Sequence, residues 1–470
     1  MGGCSSARCR PGPGAALRPP AAGGPVGLDA GNVSPPGRVR DRRAVAGRPA
    51  GPDHRPGAVA WHDGRVVDDD ATTVIQDVRP WGGDPADVGV AGDRIAWVRP
   101  AGTTPPAPGA EVVEGHGLLA LPGLVNTHAH ADKSWWGLPW QSYGGEGGTQ
   151  GRIAHERARR DELGIPSAPV AERVLREYLR TGTTRVRTHV DVDLGLGLRG
   201  IEAVREAAAA LDGAIELTVV AFPQDGVLRR PGVLELLDRA ARTGAEHVGG
   251  LDPALIDRDP VGQLDGLFRI AAEHGCGLDI HLHEPGDLGA FEIDLILDRV
   301  ERDGIAPGKV NVAHGFAVVD VDPARRRDLL DRMGALGVTM TTVAPVRMRQ
   351  LPLAEMDAAG VRFGLGTDGI RDLWSPYGDG DLLGIAWQYA RAGGVVRDED
   401  LRRVVELATR DGAAFVTDEV HDLVPGSRAD VVLLDAENPM DALVRRVPRS
   451  AVVAGGRVVD LAALAARPWE

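Results

Sequence analysis

Between about residues 119 and 426 this chain alternates eight apolar, strand-like runs with helical patterns, and that alternation constrains its fold more than any other feature. The strand-like runs are GLLALPGLVNTHAH, TRVRTHVDV, ELTVVAF, HVGGLD, LDIHLH, KVNVAH, TMTTVAP and RFGLGTD. Segments such as APVAERVLREYLRTG and RPGVLELLDRAARTG lie between them, with apolar residues at i, i+3 and i+4 and a glycine just past the end, as helices require. Repeated βα units build a parallel sheet, and eight of them close a barrel. The expected fold class is therefore α/β, a (β/α)8 TIM-like barrel. An open, doubly wound sheet is the runner-up.

The flanks have a different texture. Short alternating runs (AVAWHDGRVV, IAWVRP, AEVVEG) precede the barrel, and ADVVLLDA, SAVVAG and GRVVDL follow it. Together they predict a small β-sandwich domain from residues 57–118 and 427–470, with the barrel over 119–426. Residues 1–56 are rich in Gly, Pro, Ala and Arg without periodicity and are expected to be a disordered extension, best explained by a start codon assigned too far upstream. The opening MGGCSS fits a myristoylation pattern and RDRRAVAG holds an arginine pair, but no apolar signal core follows.

Composition excludes several classes of function. No apolar run approaches the roughly 20 residues that cross a bilayer, so no membrane span is expected. Three cysteines, Cys4, Cys9 and Cys276, make neither a disulfide framework nor a four-cysteine zinc site, and a reduced, cytoplasmic setting fits. The net charge is −14; nine arginines and three aspartates give residues 1–56 a charge of +6, which leaves −20 on the body. Such a body repels nucleic acid and favours a small neutral or cationic molecule as substrate. Neither a GxSxG elbow nor a Walker loop is present, and the H-x-E with PCxxC pattern of the other zinc deaminases is absent.

Barrel enzymes place their chemistry at the C-terminal ends of the strands. Here the first strand ends in His128-Ala129-His130, the fifth in His281-Leu282-His283-Glu284, the sixth in His314 and the eighth in Asp368. Alternate residues of a strand share a face, so His128 and His130 both point into the barrel mouth. Histidines from two strands and a carboxylate from a third offer the N/O ligand set of a catalytic zinc or iron site with a position left open for water. A divalent ion lowers the pKa of its water toward neutrality and supplies hydroxide. Attack on a C–N carbon then needs a proton acceptor and a donor for the leaving nitrogen, tasks that Asp368 and Glu284 suit.

The motifs PGLVNTHAHADKS, THVDVD, VVAFPQDG, VGGLDPA, HLHE, AHG and GTDGIRDLWSPYGDGD together resemble the amidohydrolase superfamily, in the branch that contains cytosine deaminase and N-isopropylammelide isopropylaminohydrolase. The likeness runs from about residue 57 to 460. It implies one divalent ion, Zn2+ or Fe2+, held by His128, His130, His281 and Asp368. It implies further that His314 orients the attacking hydroxide or the substrate, that Glu284 shuttles protons to the ring nitrogen, and that Gln224 hydrogen-bonds the heterocycle edge. Family members tend to be multimers, so a homo-oligomer is expected.

Departures bear on the substrate. Bacterial-type cytosine deaminases carry a second aspartate where this chain has Gly369 and a histidine where it has Thr367. The ammelide hydrolases share the features seen here as Lys133 and Ile370-Arg371-Asp372-Leu373-Trp374, but usually carry aspartate at the position of Glu284. Lys133 and Lys309 are the only lysines of the chain. Lys133, three residues past His130, is expected to give a hydrogen bond or charge to a substrate oxygen. Trp135, Trp136, Trp140 and Trp374 are candidates to wall a flat ring. The expected activity is removal of an amino or alkylamino group from a nitrogen heterocycle. Hydrolysis of a cyclic or linear amide is the alternative, and a non-enzymatic scaffold of the same fold is disfavoured because none of the four ligand residues is missing.

Overall fold

A computed structural model describes residues 71–465. The expected 1–56 extension, the run AVAWHDGRVV, Cys4 and Cys9 lie outside the described residues. Strands β1 (Thr73–Pro80), β2 (Ala86–Ala91), β3 (Arg94–Pro100) and β4 (Glu111–Pro122) come first. The barrel strands follow: β5 (Leu124–His130), β6 (Thr183–Asp191), β7 (Glu216–Phe222), β8 (His247–Leu251), β9 (Gly277–Leu282), β10 (Val310–His314), β11 (Thr339–Thr342), β12 (Phe363–Leu365) and β13 (Asp368–Gly369). Strands β14 (Val431–Leu434), β15 (Arg449–Ala454) and β16 (Arg457–Val458) end the series.

The terminal strands form one seven-stranded sheet in the order β16-β15-β14-β4-β1-β2-β3, so both flanks of the barrel contribute to it. β4 pairs parallel with β1 and antiparallel with β14. The run GLLALPGLVNTHAH, expected as a single barrel strand, is divided: its first part ends β4 and its second part is β5. Pro122-Gly123 makes the break, where Gly123 N–H donates to Asp430 and Leu124 N–H donates to Gly182. A Cβ on Gly123 would lie 2.2 Å from Thr184 Oγ1, so the chain crosses between sheets at a residue without a side chain.

The barrel strands pair parallel in sequence order from β5 to β12, and β13 pairs with β5. The eighth strand is thus two short pieces. β12 bonds to β11, β13 bonds to β5, and the sheet closes on itself, which excludes the open-sheet alternative. Asn126 spans the gap, donating to Thr367 Oγ1 at 2.8 Å and accepting from Thr367 N–H at 3.1 Å.

The helices form as their patterns dictate. Ala168–Arg180 has Pro169 in its first turn, where the missing N–H costs nothing, and buries Val170, Val174, Leu175 and Tyr178 at helical spacing. Gly182, at φ 89, then turns the chain into β6. Each fully buried aliphatic side chain of this shell contributes about 1.5–3 kcal/mol. Along β6 every residue is buried, with Val186 and Val190 packed in the main apolar core and Arg187 and His189 on the alternate positions. An additional helix, Gly148–Leu163, stands between β5 and β6 after the glycine-rich GGEGG turn. Among the described residues no helix is long and apolar enough to cross a membrane.

A Cβ on Gly366, between the two halves of the eighth strand, would lie 2.4 Å from the His128 backbone oxygen and 2.4 Å from its Cβ. Gly366→Ala is expected to cost about 1–3 kcal/mol through overpacking. Thermal unfolding measures it, and an unchanged midpoint would show that the closure is slacker than described.

Candidate metal centre and catalytic cavity

His128 and His130 stand at the end of β5, both buried, and the closure of the barrel brings Asp368 to them. His130 Nε2 lies 3.4 Å and His128 Nε2 3.9 Å from Asp368 Oδ1. β9 adds His281 and β10 adds His314. One potential ligand atom from each of His128, His314 and Asp368 falls within 4.8 Å of the others, as for His128, His189 and His281. His314 and Asp368 adopt left-handed backbone, φ 68 and φ 59, at a cost of order 1–3 kcal/mol each that surrounding structure must hold.

The donor chemistry fits a cation. His128 Nε2, His130 Nδ1 and both ring nitrogens of His281 are buried without a hydrogen-bond partner among the described residues. Each such orphan costs about 1–3 kcal/mol unless something outside the protein satisfies it. Burial, reinforced by neighbouring positive groups, holds His128, His130, His281 and His314 well below the ordinary histidine range. The rings are therefore neutral and keep the lone pair a metal requires.

A buried polar layer supports this cluster. Asp279, two residues before His281 on β9, pairs with Arg187 at 3.0 Å and His189 at 3.3 Å and accepts from Asn311 at 3.0 Å. Despite its burial, Arg187 and His189 hold the Asp279 carboxyl well below its usual range. His189 in turn packs its ring 4.2 Å from that of His128 and 4.8 Å from that of His281, between the ion pair and the cluster.

A cavity of about 820 Å³ opens above the cluster and reaches His130, His281, His314 and Asp368, with Lys133, Gln224 and Trp374 on its wall. Lys133 is only 6% exposed. Its ammonium donates to Asp191 Oδ1 at 3.2 Å and to Gln224 Oε1, and sits 5.5 Å from the Phe222 ring and 5.7 Å from the Trp374 ring. Burial alone would lower its pKa, but the carboxylates of Asp191, Glu156, Asp132 and Asp372 reverse this and keep it charged. Trp374 is fixed by its indole N–H, which donates to Glu156 on helix Gly148–Leu163, and by its backbone N–H, which donates to Asp372 at 2.8 Å. Trp135, Trp136 and Trp140 do not line the cavity, contrary to expectation. Their rings surround the Arg371 guanidinium at 4.3, 5.3 and 5.8 Å, because Trp135 N–H donates to Arg371 O and locks the loop after β5 to the loop after β13.

Glu284 is placed apart from the cavity wall. It is fully buried, and its Oε1 accepts the Leu255 N–H at 3.1 Å. Burial, with Asp252 and Glu292 adding to it, pushes its pKa up to about 9, so the carboxyl carries a proton at neutral pH. His283, next to it, does face the cavity together with His281; its Nδ1 meets Asp252 at 3.1 Å and its ring stacks on His314 at 4.3 Å. Sequence reasoning passed over His283, although it stands two residues from His281, the spacing that joined His128 to His130. It also passed over His189 within THVDVD, because nothing local tells a buried supporting histidine from a ligand.

Residues 167–460 match the family described as "Amidohydrolase family". The N-isopropylammelide isopropyl amidohydrolase of Pseudomonas sp. (strain ADP) is 28% identical over 79% of this chain and 93% of its own length. The crystal structure of N-isopropylammelide isopropylaminohydrolase from Burkholderia multivorans superposes with a TM-score of 0.78 at 42% identity, over 82% of this chain and 97% of that one. A 5-methylcytosine deaminase from Klebsiella pneumoniae, liganded with 5-fluorocytosine, gives a TM-score of 0.72 at 25% identity, again over 82% and 97%.

The fold holds Glu284 neutral up to about pH 9, whereas the unfolded chain ionises it near its ordinary 4.5. In that window the unfolded state binds fewer protons, so the contribution of this group is whole below about pH 4.5 and is lost as pH rises toward about 9. Glu284→Gln cannot ionise. Its thermal midpoint relative to the parent is expected to climb steadily from about pH 5 to about pH 9, and parallel curves would refute a buried neutral carboxyl.

Proposed function

The chain belongs to the amidohydrolase family, and from that premise we propose that it hydrolyses an exocyclic C–N bond of a small nitrogen heterocycle, releasing ammonia or an alkylamine. The observation that carries this reading is the convergence of orphaned, neutral histidine nitrogens and one carboxylate beneath a cavity walled by a lysine, a glutamine and a tryptophan. His128, His130, His281 and Asp368 would hold one divalent ion, Zn2+ or Fe2+, since both accept this N/O set. When bound, such an ion makes a water acidic enough to act as nucleophile near neutral pH.

The chain's own residues account for the rest. Trp374 offers a face to the flat ring, and Gln224, with its carbonyl engaged by Lys133, has its amide N–H free for a ring acceptor. The Lys133 ammonium, kept charged by its carboxylate neighbours, binds a ring oxygen and stabilises the negative charge that develops as water adds to the ring carbon. Asp368, whose side chain is 41% exposed, is the accessible carboxylate of the cluster and takes the proton of the attacking water. Neutral His314 orients the incoming oxygen. Glu284, protonated in its burial, is the reservoir for the proton that the ring nitrogen needs, and its carboxyl must turn from Leu255 toward the cavity to deliver it. The C–N bond then breaks: the departing nitrogen takes the proton held on Asp368, the added hydroxyl becomes a carbonyl and returns its proton to Glu284, and the ring nitrogen keeps its hydrogen. The proposal extends to a homo-oligomeric cytoplasmic enzyme, with the seven-stranded sheet folded on itself as a small β-sandwich that shares its core with the barrel.

The experiment is amine release from a panel of aminopyrimidines and amino- or alkylaminotriazines, with metal analysis. One equivalent of Zn or Fe and turnover of at least one ring are expected, and a metal-free protein inactive on all would overturn the reading. Product mass separates loss of the amine from ring opening, which only adds water. His281→Ala is expected to lower metal content and turnover together. Lys133→Ala is expected to lower kcat/KM about tenfold or more, with kcat falling as well, and metal content unchanged.

A further inference from the structure

Gly369 and Asp372 meet across the loop that follows Asp368, and both line the catalytic cavity. A Cβ on Gly369 would lie 1.8 Å from Asp372 Oδ2. The carboxylate therefore fills the volume that any side chain at position 369 would need. The two oxygens of Asp372 have different duties. Oδ1 accepts the backbone N–H of Trp374 at 2.8 Å and of Ser375 at 2.7 Å, which fixes the loop. Oδ2 accepts no hydrogen bond from the described residues, and the Lys133 ammonium donates to Asp191 and Gln224 rather than to it.

Oδ2 is not enclosed: it opens to the cavity and is free to accept from a donor that enters there. The substrate is what the cavity brings to it. An amino or alkylamino group on the ring carries N–H, whereas an alkoxy group or a halide carries none. Building on the function proposed above, we propose that Asp372 is a specificity-determining residue whose Oδ2 accepts the N–H of the departing amino group, so that the site selects rings whose leaving group is a primary or secondary amine. Gly369 is glycine because any larger residue would push that oxygen away. The contact strengthens as the reaction proceeds. When the departing nitrogen takes up its proton it gains positive charge and a further N–H, so the hydrogen bond to the carboxylate becomes charge-assisted.

Asp372→Asn tests this with little disturbance, because its carbonyl oxygen can keep the Trp374 and Ser375 N–H bonds while a donor replaces Oδ2. Amino and methoxy forms of one pyrimidine or triazine ring are compared by kcat/KM; where the methoxy ring is not turned over, its inhibition constant serves instead. The amino ring is expected to lose about 100-fold more than the methoxy ring, which shares only the loss that comes through the Lys133 ammonium, so the selectivity ratio collapses. Gly369→Ala, which displaces Oδ2 without altering its chemistry, is expected to lower the same ratio. A defect of folding or metal uptake would depress both substrates alike, and thermal midpoint and metal content identify it. A folded, metal-loaded variant of either kind that keeps the parental ratio would overturn the role of Asp372. Parent protein that releases no amine from any ring would instead overturn the proposed function on which this inference rests.

Discussion

Backbone pairing between the second half of the last barrel strand and the first strand is the interaction on which the rest of the structure depends. In an open sheet His128 and His130 would lie on one edge and Asp368 on the other. Pairing of Asp368 with Ala129 makes those edges neighbours and sets the carboxylate against both histidines. The strand must bend to do this, because its first half bonds to β11 and its second to β5. Gly366 and the Asn126–Thr367 hydrogen bonds occupy the bend, where the close approach of His128 leaves no room for a larger residue. The left-handed backbone at Asp368 and His314 is the local cost of presenting these side chains at strand ends.

The barrel interior meets a second constraint, the cost of burying charge. Asp279, Arg187 and His189 lie within a few ångströms of one another because none would be tolerated there alone. The same logic governs Lys133, whose ammonium is buried only because Asp191 and Gln224 receive it. Net charge is a poor guide to such local balance. A body of −20 presents to its cavity Lys133 and Arg152 as well as Asp368 and Asp372, so the groups on the cavity wall decide what binds.

Much of the fold was legible in the sequence because it is encoded locally. Strand and helix periods, terminal glycines and first-turn prolines are properties of a few adjacent residues, and the eight-unit alternation is their sum. The histidine pair was legible because a strand places alternate residues on one face. The division of GLLALPGLVNTHAH was harder to read, since one strand-like run of fourteen residues continues through both sheets and only Pro122-Gly123 marks the crossing. The tryptophans misled for a related reason: Trp135, Trp136, Trp140 and Trp374 have the same chemistry, and only packing sends three to Arg371 and one to the cavity.

The sequence by itself determined the βα repeat, the family and the residue types at the strand ends, because each follows from local pattern and motif. Tertiary structure decided which groups meet: His283 rather than Glu284 at the cavity wall, His189 behind the histidine cluster, and the Asp372 carboxylate in the space beside Gly369. Those are contacts between residues far apart in the chain or turned by a single loop. Their energies, a desolvated carboxyl or an orphaned imidazole nitrogen, exist only once the barrel has closed and excluded water.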